Sequence, residues 1–131
     1  MVKYTPIEVG ETFKTISSDL HRLWLTDQAL TADFRIPADT PRFLRVEFED
    51  IDVMRVLDEM PLSTEEAAEE EGLVSEHFAY TVEGSLFWNS QSDVLTSYDG
   101  LQHYRFITGW RCLDVLSRRQ PRFSIVTGNN A

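Results

Sequence analysis

Residues 102–117 read QHYRFITGWRCLDVLS, two apolar-rich runs on either side of Gly109-Trp110-Arg111. Such runs flanking a short, glycine-containing turn predict a β-hairpin, and the architecture of the chain follows from it. Counting outward from Trp110 pairs Thr108 with Cys112, Phe106 with Asp114 and Tyr104 with Leu116. In that register His103 lies far from Cys112, and Arg105 lies on the face opposite Asp114.

The same alternation of apolar and polar side chains recurs elsewhere. ALTADFRI (29–36) places Leu30, Ala32, Phe34 and Ile36 on one face. RFLRVEFE (42–49) places Leu44, Val46 and Phe48 on one face and mostly charge on the other, the pattern of a half-solvated antiparallel strand. Further strands are expected at 12–16, 20–25, 51–57, 77–82 and 122–127, with Phe78, Tyr80 and Val82 sharing a face. PADTP (37–41) reads as a loop, and Pro61 as the end of the strand before it.

Two segments break the period of two. From Leu86 to Tyr98, Phe87, Gln91, Val94 and Tyr98 form a stripe at helical spacing, widened by Trp88 and Leu95, with Ser85 as N-cap. Residues 63–71, STEEAAEEE, carry a capping-box spacing at Ser63 and a Glu run that complements a helix N-terminus, with Gly72 as the stop. The expected fold is α+β: a mostly antiparallel, strongly bent sheet or half-barrel packed on one amphipathic helix (86–98), plus a short acidic surface helix (63–71). A parallel crossover over 77–108 is the alternative. At 131 residues the chain fits one domain, with 1–10 as a peripheral leader and 128–131 as a tail.

Charge narrows the function. A formal net charge of −10 opposes binding to nucleic acid or to anionic membranes, and favours basic partners. One Cys permits no internal disulfide, and no apolar run reaches the roughly 20 residues of a membrane helix. The N-terminus lacks the apolar core of a signal peptide, so the cytoplasm is the expected location.

Motifs for large enzyme classes (GxSxG, GxGxxG, P-loop, HExxH, CxxC) are absent. His21, His77 and His103 lie far apart without ligand spacing, so neither a metal nor a cofactor is expected. Cys112 reads as a small buried hydrophobe. Trp24, Tyr80, Trp88, Tyr104 and Trp110 are the candidate ligand-binding residues: polar-tipped rings that could line a pocket or simply fill the core. The leading expectation is a non-enzymatic domain that binds a protein partner or a small apolar or aromatic ligand. Self-association through a strand edge such as 122–127 would make that partner a second copy. The alternative is a small enzyme with His77 or His103 as acid-base and Tyr104, Arg105 or Glu47 orienting substrate. Arg105 and Arg111 are also expected to reach Glu47 or Glu49 as structural ion pairs.

Overall fold

The computed structural model describes residues 1–10, 15–66 and 69–128, with only the backbone at residue 40. Among these residues, ten strands form two sheets. The first has six: β5 (Val53–Asp58), β9 (Arg111–Ser117), β8 (Gln102–Phe106), β7 (Ala79–Glu83), β1 (Val2–Pro6) and β6 (Glu70–Glu71), in that spatial order. The second has four: β10 (Arg122–Thr127), β4 (Asp39–Phe48), β3 (Ala29–Ile36) and β2 (Leu20–Thr26). All neighbours are antiparallel except β1 with β6. A sheet-dominated α+β fold is therefore observed, and the antiparallel β7–β8 pair rules out a parallel crossover.

The core lies between the sheets. Ala79, Tyr104, Phe106, Leu113 and Val115 of the six-stranded sheet pack against Leu30, Ala32, Phe34, Leu44, Val46 and Phe48 of the four-stranded one. Period two places these residues on inward faces, and their aromatic rings meet edge-on, as in Phe48–Tyr104 at 5.3 Å and Phe34–Phe78 at 5.0 Å. Among the described residues, no helix lies in this core. The expected helix over 86–98 is instead two single turns, α2 (Leu86–Asn89) and α3 (Asp93–Thr96), on the outer face of the six-stranded sheet. Ser85 caps the first and Ser92 caps the second, so Ser90-Gln91-Ser92 interrupts the stripe. Phe87 is buried there, whereas Val94 and Tyr98 are exposed.

Several other expectations change. Residues 2–6 are not a peripheral leader: β1 lies between β7 and β6 with Val2 and Tyr4 buried. The acidic helix begins earlier, as α1 (Glu59–Glu65), with Pro61 inside its first turn, where a missing N–H costs no hydrogen bond. Ser63 and Thr64 do not cap it; their hydroxyls bond back to the Met60 carbonyl. Glu70–Glu71 is strand rather than helix, and Gly72 follows it. Phe78 precedes β7 and joins the inter-sheet core, while Tyr80 and Val82 face outward. β4 starts at Asp39, inside the expected loop. Thr15–Ser17 is a 3-10 turn, while the remainder of the strand expected at 12–16 and most of the tail at 128–131 lie outside the described residues.

The hairpin is present with a register one residue from expectation. β8 and β9 pair Arg105 with Asp114, Tyr104 with Val115 and Phe106 with Leu113. The connection therefore spans Ile107 to Trp110, held by Thr108 Oγ1 donating to the Arg111 carbonyl at 2.7 Å. A slip of one residue sends side chains to the other face. Here it brings His103, Arg105 and Asp114 onto the same face. Gly109 seats the hairpin turn on the 3-10 turn: its N–H donates to the Thr15 carbonyl at 2.9 Å, and a Cβ there would stand 2.0 Å from the Ile16 carbonyl oxygen.

Candidate functional site

The outer face of the six-stranded sheet carries a connected cluster of buried polar and charged groups. His103 and Arg105 alternate along β8, and the register sets Asp114 of β9 between Arg105 and Arg55 of β5. Asp114 Oδ1 accepts from His103 Nε2 at 2.7 Å and from Arg105 Nε at 2.7 Å, and its Oδ2 accepts from Arg55 Nε at 2.8 Å. Arg105 also donates to the Tyr4 hydroxyl at 2.9 Å. Arg55 continues outward as a two-pronged pair with Glu65 at the end of α1. Ser85 Oγ meets His103 Nδ1 at 2.8 Å. His103, Arg105, Asp114 and Ser85 are all buried, two of the charged groups fully so.

The protons follow from this pattern. Asp114 is an acceptor to two arginines, so His103 Nε2 carries the hydrogen and Nδ1 accepts from the Ser85 hydroxyl. Ser85 Oγ in turn accepts the Trp88 N–H at 3.1 Å as the cap of α2. Burial lowers the His103 pKa below its ordinary 6.5, assisted by the charges of Arg105 and Arg55, and outweighs the pull of Asp114. Burial alone would raise Asp114; the hydrogen bond from the His103 N–H and the hydrogen bonds and charge of Arg105 overcome it and hold the carboxyl well below the usual range. His103 is thus neutral and Asp114 ionised at neutral pH.

Hydroxyl, imidazole and carboxylate in line is the connectivity of a nucleophilic relay. Its surroundings suit a brace better. Both imidazole nitrogens and the Ser85 hydroxyl are already engaged, and Ser85 is fully buried. The next backbone donor, Leu86 N–H, is held by the Glu66 carboxylate at 3.0 and 3.1 Å.

Of the four candidate catalytic residues, the structure brings together only His103 and Arg105. His77 lies at the far end of β7 with Nε2 3.7 Å from Glu8, and Glu47 sits on the four-stranded sheet, 3.9 Å from Arg122. Neither Arg105 nor Arg111 reaches Glu47 or Glu49: Arg111 faces Asp19 at 3.6 Å, and Glu49 pairs with Arg119 at 2.8 Å. Sequence reading missed Ser85, Asp114, Arg55, Glu65 and Tyr4 as partners. The available signal was Asp114 itself, one carboxylate inside the apolar run Cys-Leu-Asp-Val-Leu. Cys112 is buried, and burial pushes its thiol up to about 11, which makes it unreactive.

The five candidate ligand rings do not share a pocket. Tyr104 is in the inter-sheet core. Tyr80 is buried and donates to the Val74 carbonyl at 2.9 Å. Trp24 lies on the solvent face of the four-stranded sheet, with Arg22 at 4.4 Å and Arg45 at 5.1 Å from its ring centre. Trp88 lines a cleft of about 380 Å³ at the Glu83–Gln102 end of β7 and β8. Trp110 stands at the opposite end of β8, two-thirds exposed on the hairpin turn.

Trp110 stands near other exposed apolar side chains, with the exposed Arg111 and the half-buried Glu59 beside them. Its carbonyl accepts the Glu59 N–H at 2.6 Å, which brings the exposed Met60 alongside, while Gly109 brings in the exposed Ile16. Two adjoining hollows of about 150 and 300 Å³ share Leu73 and Ile107 in their walls. The first also has Tyr4 and Leu62, rimmed by Glu59 and Glu70; the second has Val74 and Tyr80, rimmed by Ser75 and His77. Among the described residues, no Lys or Arg lines either.

Among the described residues, no helix is long and apolar enough to cross a membrane. Comparison with protein-family models, with curated proteins and with solved structures yields no match to this chain.

Proposed function

We propose that this chain is a non-enzymatic domain that binds a protein partner, and that it does so with the groove beside Trp110. One observation carries the reading: three large apolar side chains, Trp110, Met60 and Ile16, are 66–75% exposed beside a groove walled by Leu73 and Ile107. Clustered exposed apolar groups mark interaction surfaces, and Trp is the side chain most often found as the anchor of one. The acidic rim and the net charge of −10 select the partner's chemistry. An amphipathic helix with an apolar stripe and basic flanks fits an elongated groove of this kind. The cytoplasm is the proposed setting, where a single buried thiol stays reduced.

The test is an amide-shift titration of the full chain with a helical Leu/Lys peptide, against the Leu/Glu peptide of the same pattern. The Lys peptide is expected to move Ile107, Leu73 and the Trp110 indole, and the Glu peptide to leave them in place. Trp110→Ala should weaken binding about thirtyfold, the size of an interface anchor. Binding indifferent to Trp110→Ala, or equal affinity for both peptides, would refute the proposal. A dimer that Ser124→Pro dissolves would instead make the partner a second copy, paired through the outer edge of β10.

The Ser85–His103–Asp114 connectivity favours the enzyme as a second reading, with His103 taking the Ser85 proton. That chemistry requires α2 to lift and free the hydroxyl. A fluorophosphonate probe distinguishes the two: the binding domain stays unlabelled, and the enzyme is labelled at Ser85.

A further inference from the structure

The geometry points to a second binding site at the other end of β8, and we infer that the cleft beside Trp88 takes a small organic cation, an ammonium or guanidinium on a compact apolar body. The cleft holds about 380 Å³, within the range of small-ligand sites. Its lining is chemically one-sided. Trp88 supplies an aromatic ring, with Leu101 and Val82 as apolar wall. Glu83, exposed and opposite Lys3 of β1 in the strand register, brings the one carboxylate of the lining, and Thr81 and Gln102 are neutral.

The histidine in the wall adds no positive charge. His103 is buried with one nitrogen on Asp114 and the other on Ser85. Among the lining residues an anion would therefore find no cationic side chain, whereas an ammonium would find an indole and a carboxylate together. The overall field concentrates cations in the same direction.

The wall is also rigid. Ser85 is tied both to His103 and to α2, and Gly84 before it holds φ +77 with a Cβ position only 2.7 Å from the Met1 carbonyl oxygen. A ligand entering this cleft has little left to order, which lowers the cost of binding. The buried relay thereby acquires a role: it fixes the turn that shapes the cleft.

Three probes of one shape and different charge test the inference: phenethylamine, 2-phenylethanol and phenylacetate. Each is titrated into the full chain and followed by the amides of Gly84 and Gln102 and by the Trp88 indole. Phenethylamine is expected to shift all three signals and to bind about tenfold more tightly than the alcohol, with phenylacetate weaker still. Glu83→Gln, an exposed position that leaves folding intact, should reduce the amine to the affinity of the alcohol. Trp88→Leu should weaken both. Absence of shifts with phenethylamine, equal binding of all three probes, or an amine preference that survives Glu83→Gln would overturn the inference.

Discussion

The two sheets carry the same device on their outward faces and treat it differently. Asp33 on β3 and Asp114 on β9 are both fully buried, and both are held by arginines from neighbouring strands. On the four-stranded sheet Arg45 grips Asp33 with two hydrogen bonds, at 2.8 and 3.0 Å. Trp24 lies over that pair, and Arg45 keeps access to water. On the six-stranded sheet Asp114 lies under the segments carrying α1 and α2, with Arg105 wholly enclosed. The difference teaches that a charged pair on a sheet face becomes a buried network only when a connecting segment covers it. The connections 59–66 and 84–101 provide that cover, and they also supply Glu65 and Ser85.

This comparison can be broken by mutation. The largest effect is expected at the covered face: Asp114→Asn should cost about 3–5 kcal/mol in denaturant unfolding, because Arg105 is left charged and enclosed. Asp33→Asn should cost less, about 1–2 kcal/mol, because Arg45 can turn to solvent while stacked on Trp24. Equal losses at the two sites would show that cover does not matter. Ser85→Ala should cost about 1 kcal/mol, the worth of a helix cap, and should leave His103 with an unpaired Nδ1.

The covered face should also respond to acid. The folded pKa of His103 is lowered, so the unfolded chain takes up that proton first as pH falls. The His103 contribution is full above pH 6.5 and declines below it, toward the lowered folded value. Asp114, depressed in the folded state, gives stability present above its ordinary 3.8 and lost as pH falls further. Unfolding midpoints measured from pH 8 to pH 4 should therefore drop, and His103→Gln should flatten the upper part of that drop. The smallest effect is expected at Trp110→Ala, within about 0.5 kcal/mol of the parent in stability, since an exposed ring supports no core.

How much of this was legible in the sequence depends on cover in the same way. Strands Ala29–Ile36 and Arg122–Thr127 have their expected bounds; in the first, Leu30, Ala32, Phe34 and Ile36 all turn into the core and enforce a period of two, whereas in the second only Phe123 packs against the core. β1 was missed although Val2 and Tyr4 alternate, because Pro6 closes so short a strand. The stretch 86–98 shows a helical stripe, but Ser92 is as good a cap as Ser85 and starts a second turn. The hairpin was found and its register was not, since Gly109 marks the turn without fixing its length. That single step hid the site: in the expected register Arg105 and Asp114 point apart, and in the observed one they touch. Ser85 was read correctly as a cap, but its second bond to a strand residue 18 positions later is set by tertiary packing alone.

The account rests on the covered network being closed, with a neutral histidine locked between a hydroxyl and a carboxylate. The most direct measurement is the imidazole ¹⁵N spectrum of His103 across pH 8 to pH 5. The account predicts a neutral ring with its proton on Nε2, persisting below pH 6.5. A ring that takes up a second proton at or above 6.5, or that carries its hydrogen on Nδ1, would contradict it.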